Sequence, residues 1–317
     1  MKSVAPSVKG ALIFPFLLFA LLSTTLSTGR LSAQEEEQLT PSHVYQHAER
    51  LIAEIELIRR FEGVTEPARD PGTQINKLPI HVVQKAVELM DKVRRYQQSL
   101  GMDPLTIDPL PFERMTPLIA FEAVNSVLSN IREVKGRLGI GEAIEPVPFR
   151  SGKTPTEVYE LLWRASYLLD GVVEETTPSE VLAKERQAYR DLLLISEALD
   201  SAPPEESRTY ENKEPRDVLM ENYVTMYRLA RLQRALGMVP FYVPPLPGGE
   251  ITPSNAYDTA GTIVGELHRI KTTLGVTVPS PPLERFEEAT PSDVYAVARL
   301  IQKGLETLFE EIEEGEA

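Results

Sequence analysis

His43 and His47 stand four residues apart, which on a helix stacks both imidazoles on one face, where they can hold a metal ion between them. No third ligand is indicated at a fixed spacing, and an exposed polar helix face accounts for the pair more simply. A second pair is conspicuous against a repeating background. Glu185 and Asn222 fall at positions that sister segments fill with Ala, Val or Leu. If both face a core they need polar partners and mark a small ligand site, with Tyr189 and Tyr223 beside them. A one-residue rotation of each helix is the simpler expectation: it puts Tyr189 and Tyr223 on the apolar seam and turns Glu185 and Asn222 to solvent.

No other constellation carries chemistry. The sequence has no phosphate loop, no dinucleotide glycine fingerprint, no His-Glu-x-x-His, no nucleophile elbow and no Asp-rich calcium loop. The absence of Cys excludes thiol nucleophiles, disulfides, iron–sulfur clusters and thiolate metal centres. Lys and Arg number 33 against 47 Asp and Glu, a formal net charge of −14, so phosphate backbones and anionic membrane surfaces are repelled and a nucleic-acid partner is not expected. Neither enzymatic activity nor a cofactor is expected. Binding is the class left: a protein partner, self-association, or a small molecule.

The elements that position these residues come from an internal repeat. Thr-Pro phrases begin successive units, as in Thr40-Pro41-Ser42, Thr154-Pro155-Thr156, Thr252-Pro253-Ser254 and Thr290-Pro291-Ser292. The anchor prolines lie at 41, 79, 117, 155, 178, 215, 253 and 291, spaced by 38, 38, 38, 23, 37, 38 and 38. Thr as N-cap and Pro at the first helical position make each anchor a helix start. Gly63, Gly101, Gly139, Gly237 and Gly275 follow their prolines by 22 residues, four of them in a Leu-Gly-apolar phrase that predicts a left-handed helix stop.

Between start and stop, apolar residues recur at +3, +7, +10, +14 and +17 from the proline, a heptad-like seam that predicts shallow helix packing. Each stop is followed by a Pro-rich segment of about 15 residues, which as polyproline-like chain reaches ~46 Å, against ~33 Å for the helix. The chain can therefore return along one helix and start the next at the same end, which predicts parallel neighbours; an up-and-down bundle with long arches is the competing topology. Only the step from the fourth to the fifth unit is short, as in an antiparallel hairpin.

The fold expected is all-α: an eight-helix repeat bundle of two pseudo-symmetric four-helix halves, 34–172 and 173–317, forming one unit. Residues 1–33 show two early Lys, an apolar run of about a dozen residues and the close Leu31-Ser32-Ala33. That order predicts a secretory signal cut after Ala33, with a retained amphiphilic anchor as the alternative. The run is short of the ~20 residues a membrane-spanning helix needs, so no span is expected once it is removed. The chain therefore reads as an exported protein of the bacterial periplasm: a non-enzymatic helical-repeat binding or scaffold module, or alternatively a small-molecule binding or sensory domain with a pocket between the halves.

Overall fold

A computed structural model describes residues 39–204 and 208–315, all within one compact unit. The expected signal segment and its cut lie outside the described residues. Among these there are eight helices and no strand: α1 Pro41–Phe61, α2 Pro79–Ser99, α3 Pro117–Arg137, α4 Pro155–Leu169, α5 Pro178–Ala198, α6 Pro215–Ala235, α7 Pro253–Thr273 and α8 Pro291–Gly315. No described helix is long and apolar enough to cross a membrane.

Every helix opens on its anchor proline, and the residue at N3 completes the start. In seven of the eight it accepts the N-cap amide: the Thr154 N–H reaches the Glu157 carboxylate at 2.9 Å, that of Thr252 reaches Asn255 at 3.0 Å, and that of Thr40 reaches His43 Nδ1 at 3.1 Å. The Ser or Thr behind the proline serves a neighbouring helix instead. Ser42 accepts the Lys153 amide at 3.0 Å, Thr156 that of Lys77 at 3.0 Å and Ser292 that of Lys213 at 3.1 Å. The Thr-Pro-Ser phrase thus caps its own helix and ties down the entry to another.

The stops of α1, α2, α3, α6 and α7 are Schellman motifs. Gly237 has φ +69°, and the next amide, Met238 N–H, bonds back to Gln233 O at 2.8 Å. The same closure ends α5, where Asp200 takes the left-handed conformation at φ +54°. From the stop the chain runs back along the bundle, pinned by side chains near the helix end: Gln97 accepts the Leu105 amide and Gln233 that of Phe241, both at 2.9 Å.

Neighbouring helices in each half are parallel. Ser42 and Arg59, at opposite ends of α1, meet Lys153 and Leu168 at the corresponding ends of α4. Asn222 and Gln233 of α6 meet Thr259 and Glu266 of α7 in the same order. Within the first half α1 and α2 each pack on α3 and α4, and in the second α5 and α6 each pack on α7 and α8. Consecutive helices α1 and α2 are therefore diagonal, each half has the same wiring, and each encloses its own core around seams such as Ala48, Leu51, Ile55 and Ala188, Leu192, Ile195. The halves meet chiefly through α2 and α7.

Candidate functional site

The α2–α7 contact is where the polar residues collect. From His81 to Val93 only Val87 escapes full burial, and α7 is as enclosed, yet both helices carry charges on the buried face. They run antiparallel: His81 lies 2.9 Å from Glu266, while Lys92, further along α2, lies 3.2 Å from Asp258, earlier on α7. Close approach is possible because Gly261 and Gly265 face Glu88 and Gln84; a Cβ on Gly265 would sit 1.5 Å from the Gln84 amide nitrogen.

A buried unpaired charge costs several kcal/mol, so the charges here are held in a chain. Lys85 bonds Glu88 at 2.8 Å and lies 3.7 Å from Asp258; Lys92 bonds Asp170 at 2.6 Å and Ser166 at 2.7 Å. Burial alone would raise Asp258, but Lys85 and Lys92 outweigh it and hold the carboxyl below its ordinary value. Burial likewise opposes the charged form of Glu266, and His81, Arg269 and Gln233 reverse it to about 2. Glu88 keeps the opposite sign: burial pushes it up despite Lys85. Lys85 Nζ also sits 3.3 Å above the Trp163 ring.

Cavities of about 310 Å3 and 260 Å3 flank this contact. The larger has aromatic walls from Trp163, Tyr167 and Tyr223, a proline edge from 244–247, and Asp258 on its floor. One buried polar atom on its lining residues, Gln74 Oε1, has no hydrogen-bond partner among the described residues. A wider depression of about 980 Å3 along α5, α6 and α8 is instead a shallow mosaic of bases and acids such as Arg228, Arg299 and Glu306, with ion pairs at 2.9 and 3.2 Å closing across it.

The rotation expected of α5 and α6 does not occur. Glu185 and Asn222 are both 0% exposed, on the same seam as Val181, Ala188, Val218 and Leu229, because the heptad register continues through them. Asn222 donates to Ala256 O at 3.3 Å and Thr259 Oγ1 at 3.0 Å. Neither oxygen of Glu185 has a hydrogen-bond partner among the described residues, and burial pushes its pKa up to about 8, with Asn222 the counteracting group. The structure so brings Glu185 and Asn222 into one core. Tyr223 is also buried and reaches the 310 Å3 cavity, its hydroxyl bonded to Pro245 O at 2.9 Å; Tyr189 is half-buried, its hydroxyl 3.4 Å from Pro204 O.

His43 and His47 each have a local role. His43 Nδ1 accepts the N-cap amide and its ring lies 4.8 Å from Phe149; His47 packs 4.3 Å from Phe121, with Arg50 at 3.2 Å. Burial first, then Arg50 and Arg132, lower the His47 pKa to about 4. Among the described residues no group of three or more His, Asp or Glu is placed to hold a metal ion.

Lys85, Lys92, Asp258 and Trp163 were not singled out from sequence, where a charge on an amphipathic helix reads as a solvated face. The signal available was Gly261 and Gly265, four residues apart inside a helix, where glycine is unfavourable unless something approaches closely. No family model matches the chain, and no curated protein and no solved structure matches it.

Proposed function

We propose that this protein is a non-enzymatic binding module, exported to the bacterial envelope, that seats a small molecule between its two bundles. The observation that carries the reading is the 310 Å3 cavity, which combines aromatic and proline walls with a buried acceptor, Gln74 Oε1, that has no hydrogen-bond partner among the described residues. Buried polar groups are nearly always satisfied, so such a group inside a cavity of ligand-site size favours a ligand that supplies a donor. Asp258 is already neutralised by Lys85 and Lys92, which points to a flat, uncharged, partly polar molecule rather than a cation.

The chain has one Trp beside 11 Tyr, so emission excited selectively from Trp reports on Trp163 at this cavity. Screening small aromatic amides and nucleobase-like compounds should produce a saturable change in Trp163 emission together with a raised melting temperature. Gln74→Ala should weaken binding by roughly tenfold, about the value of one hydrogen bond. A screen in which no compound changes the emission saturably, or binding indifferent to Gln74→Ala, overturns the reading. A scaffold role through protein contacts is a second reading, supported by the exposed apolar face of α6. Export rests on the leader, and amino-terminal sequencing of the chain recovered from an envelope fraction tests it: a first residue of Gln34 supports cleavage, an intact Met1 refutes it.

A further inference from the structure

The two bundles are copies, yet they touch through helices that are not copies of each other. The repeat relates α2 to α6 and α3 to α7 by a shift of 136 residues, as in Pro79 to Pro215 and Pro117 to Pro253. A contact between α2 and α7 is therefore heterologous, the head of one copy on the tail of the next, and such a contact always leaves one unused example of each surface. Here those are the outer faces of α6 and α3.

The residues on these faces stand where the contact residues of their counterparts stand inside the molecule. On α2 the residues that meet α7 include Gln84, Glu88 and Asp91; at the corresponding positions α6 carries Met220, Val224 and Tyr227, which are 45%, 40% and 61% exposed. Three large apolar side chains in a row on one solvent-facing stripe of an acidic protein are a mark of a docking surface. On α7 the approach is made possible by Gly261 and Gly265; α3 has the short Asn125 and Ser129 at those positions. Tyr257 of α7 corresponds to Phe121 of α3, giving Tyr227 an aromatic partner. One charge pair keeps its signs: Lys92 corresponds to Arg228, which also pairs with Glu306 of its own molecule, and Asp258 corresponds to the exposed Glu122, whereas Lys85 corresponds to Glu221.

We propose that copies of this chain associate head to tail, the α6 face of one molecule docking antiparallel on the α3 face of another as α2 docks on α7 within each. The occupant is a second copy of the chain, chosen because the same polypeptide already carries the complementary surface in the same register. The inference does not depend on the cavity between the bundles, and either can fail alone.

The test uses the full chain in three forms, so that the leader is common to all. One form blocks α6 by Met220→Glu and Tyr227→Glu; another blocks α3 by Glu122→Arg and Ser129→Arg. All four sites are exposed, so circular dichroism should be unchanged. In light scattering and sedimentation, the unmodified chain should show a mass climbing with concentration beyond the 35.4 kDa monomer without a fixed limit. Each blocked form alone should stay at 35.4 kDa, and an equal mixture of the two should form a 1:1 particle of twice that mass and nothing larger, since only one live α6 face and one live α3 face remain. An unmodified chain that is monomeric throughout, an α3-blocked form that still self-associates, or a mixture that stays monomeric overturns the proposal.

Discussion

Replacing Glu185 by Gln should make the protein more stable at neutral pH, and by an amount that depends on pH in a defined way. The side chain is fully buried, neither carboxyl oxygen has a hydrogen-bond partner among the described residues, and its pKa rises from 4.5 to about 8 on folding. Because the native state holds the proton more tightly than the unfolded chain, the native state is favoured most below pH 4.5 and loses stability as pH rises toward 8, after which the loss levels off. At pH 7 the gap above the unfolded value is 2.5 units, which at about 1.4 kcal/mol per unit corresponds to about 3 kcal/mol. Gln keeps the shape without the titration and offers a donor to the Asn222 oxygen, which has no hydrogen-bond partner among the described residues. Glu185→Gln should therefore match the unmodified protein near pH 4 and exceed it by about 3 kcal/mol at pH 7, roughly 6–10 °C in melting temperature. Urea unfolding of both proteins from pH 4 to 9 measures this directly, and the difference between the two curves cancels groups that titrate in both. Two parallel stability profiles, or a variant that loses ground as pH rises, would refute the assignment of a buried, protonated Glu185.

Gly265→Leu should push α2 from α7, since even a Cβ meets Gln84 at 1.5 Å; small-angle scattering should report a larger radius of gyration while far-UV dichroism keeps its helical signal. Lys271→Met removes the 2.5 Å partner of Asp191 where both are 0% exposed, and should cost about 3–5 kcal/mol in urea unfolding. The double change with Asp191→Leu should recover most of that loss. Gly237→Ala places a side chain at φ +69° and should cost about 1–2 kcal/mol with no change in fold, read as a shift in urea midpoint at constant slope.

Much of the architecture is written in local signals. Thr at N-cap, Pro at N1, an acceptor at N3 and Gly at the stop each satisfy backbone groups within a few residues, so Thr154, Pro155 and Glu157 can be read as a helix start without knowing what the helix packs on. The +3, +7, +10 rhythm tells which face is buried, and the length of the Pro-rich returns was enough to expect parallel helices. The stop of α5 escaped notice because Asp200, not Gly, takes the left-handed conformation.

Which helix meets which is settled by the fold. Seams built from the same aliphatic residues are interchangeable, so periodicity is silent on why α1 lies beside α3 and α4 but diagonal to α2; the returns and the ties from Ser42 and Thr156 settle that. Glu185 shows the same limit at one residue: a polar group in a heptad reads as a sign of rotation unless the neighbouring helix is seen to hold the register. The inter-bundle site is the clearest case. Lys92 and Asp258 are 166 positions apart, and each alone has the look of a solvated charge. Local sequence encodes the cost of burying such a group but not its partner, and a charge can leave water only where the fold delivers the opposite one to within a few ångströms.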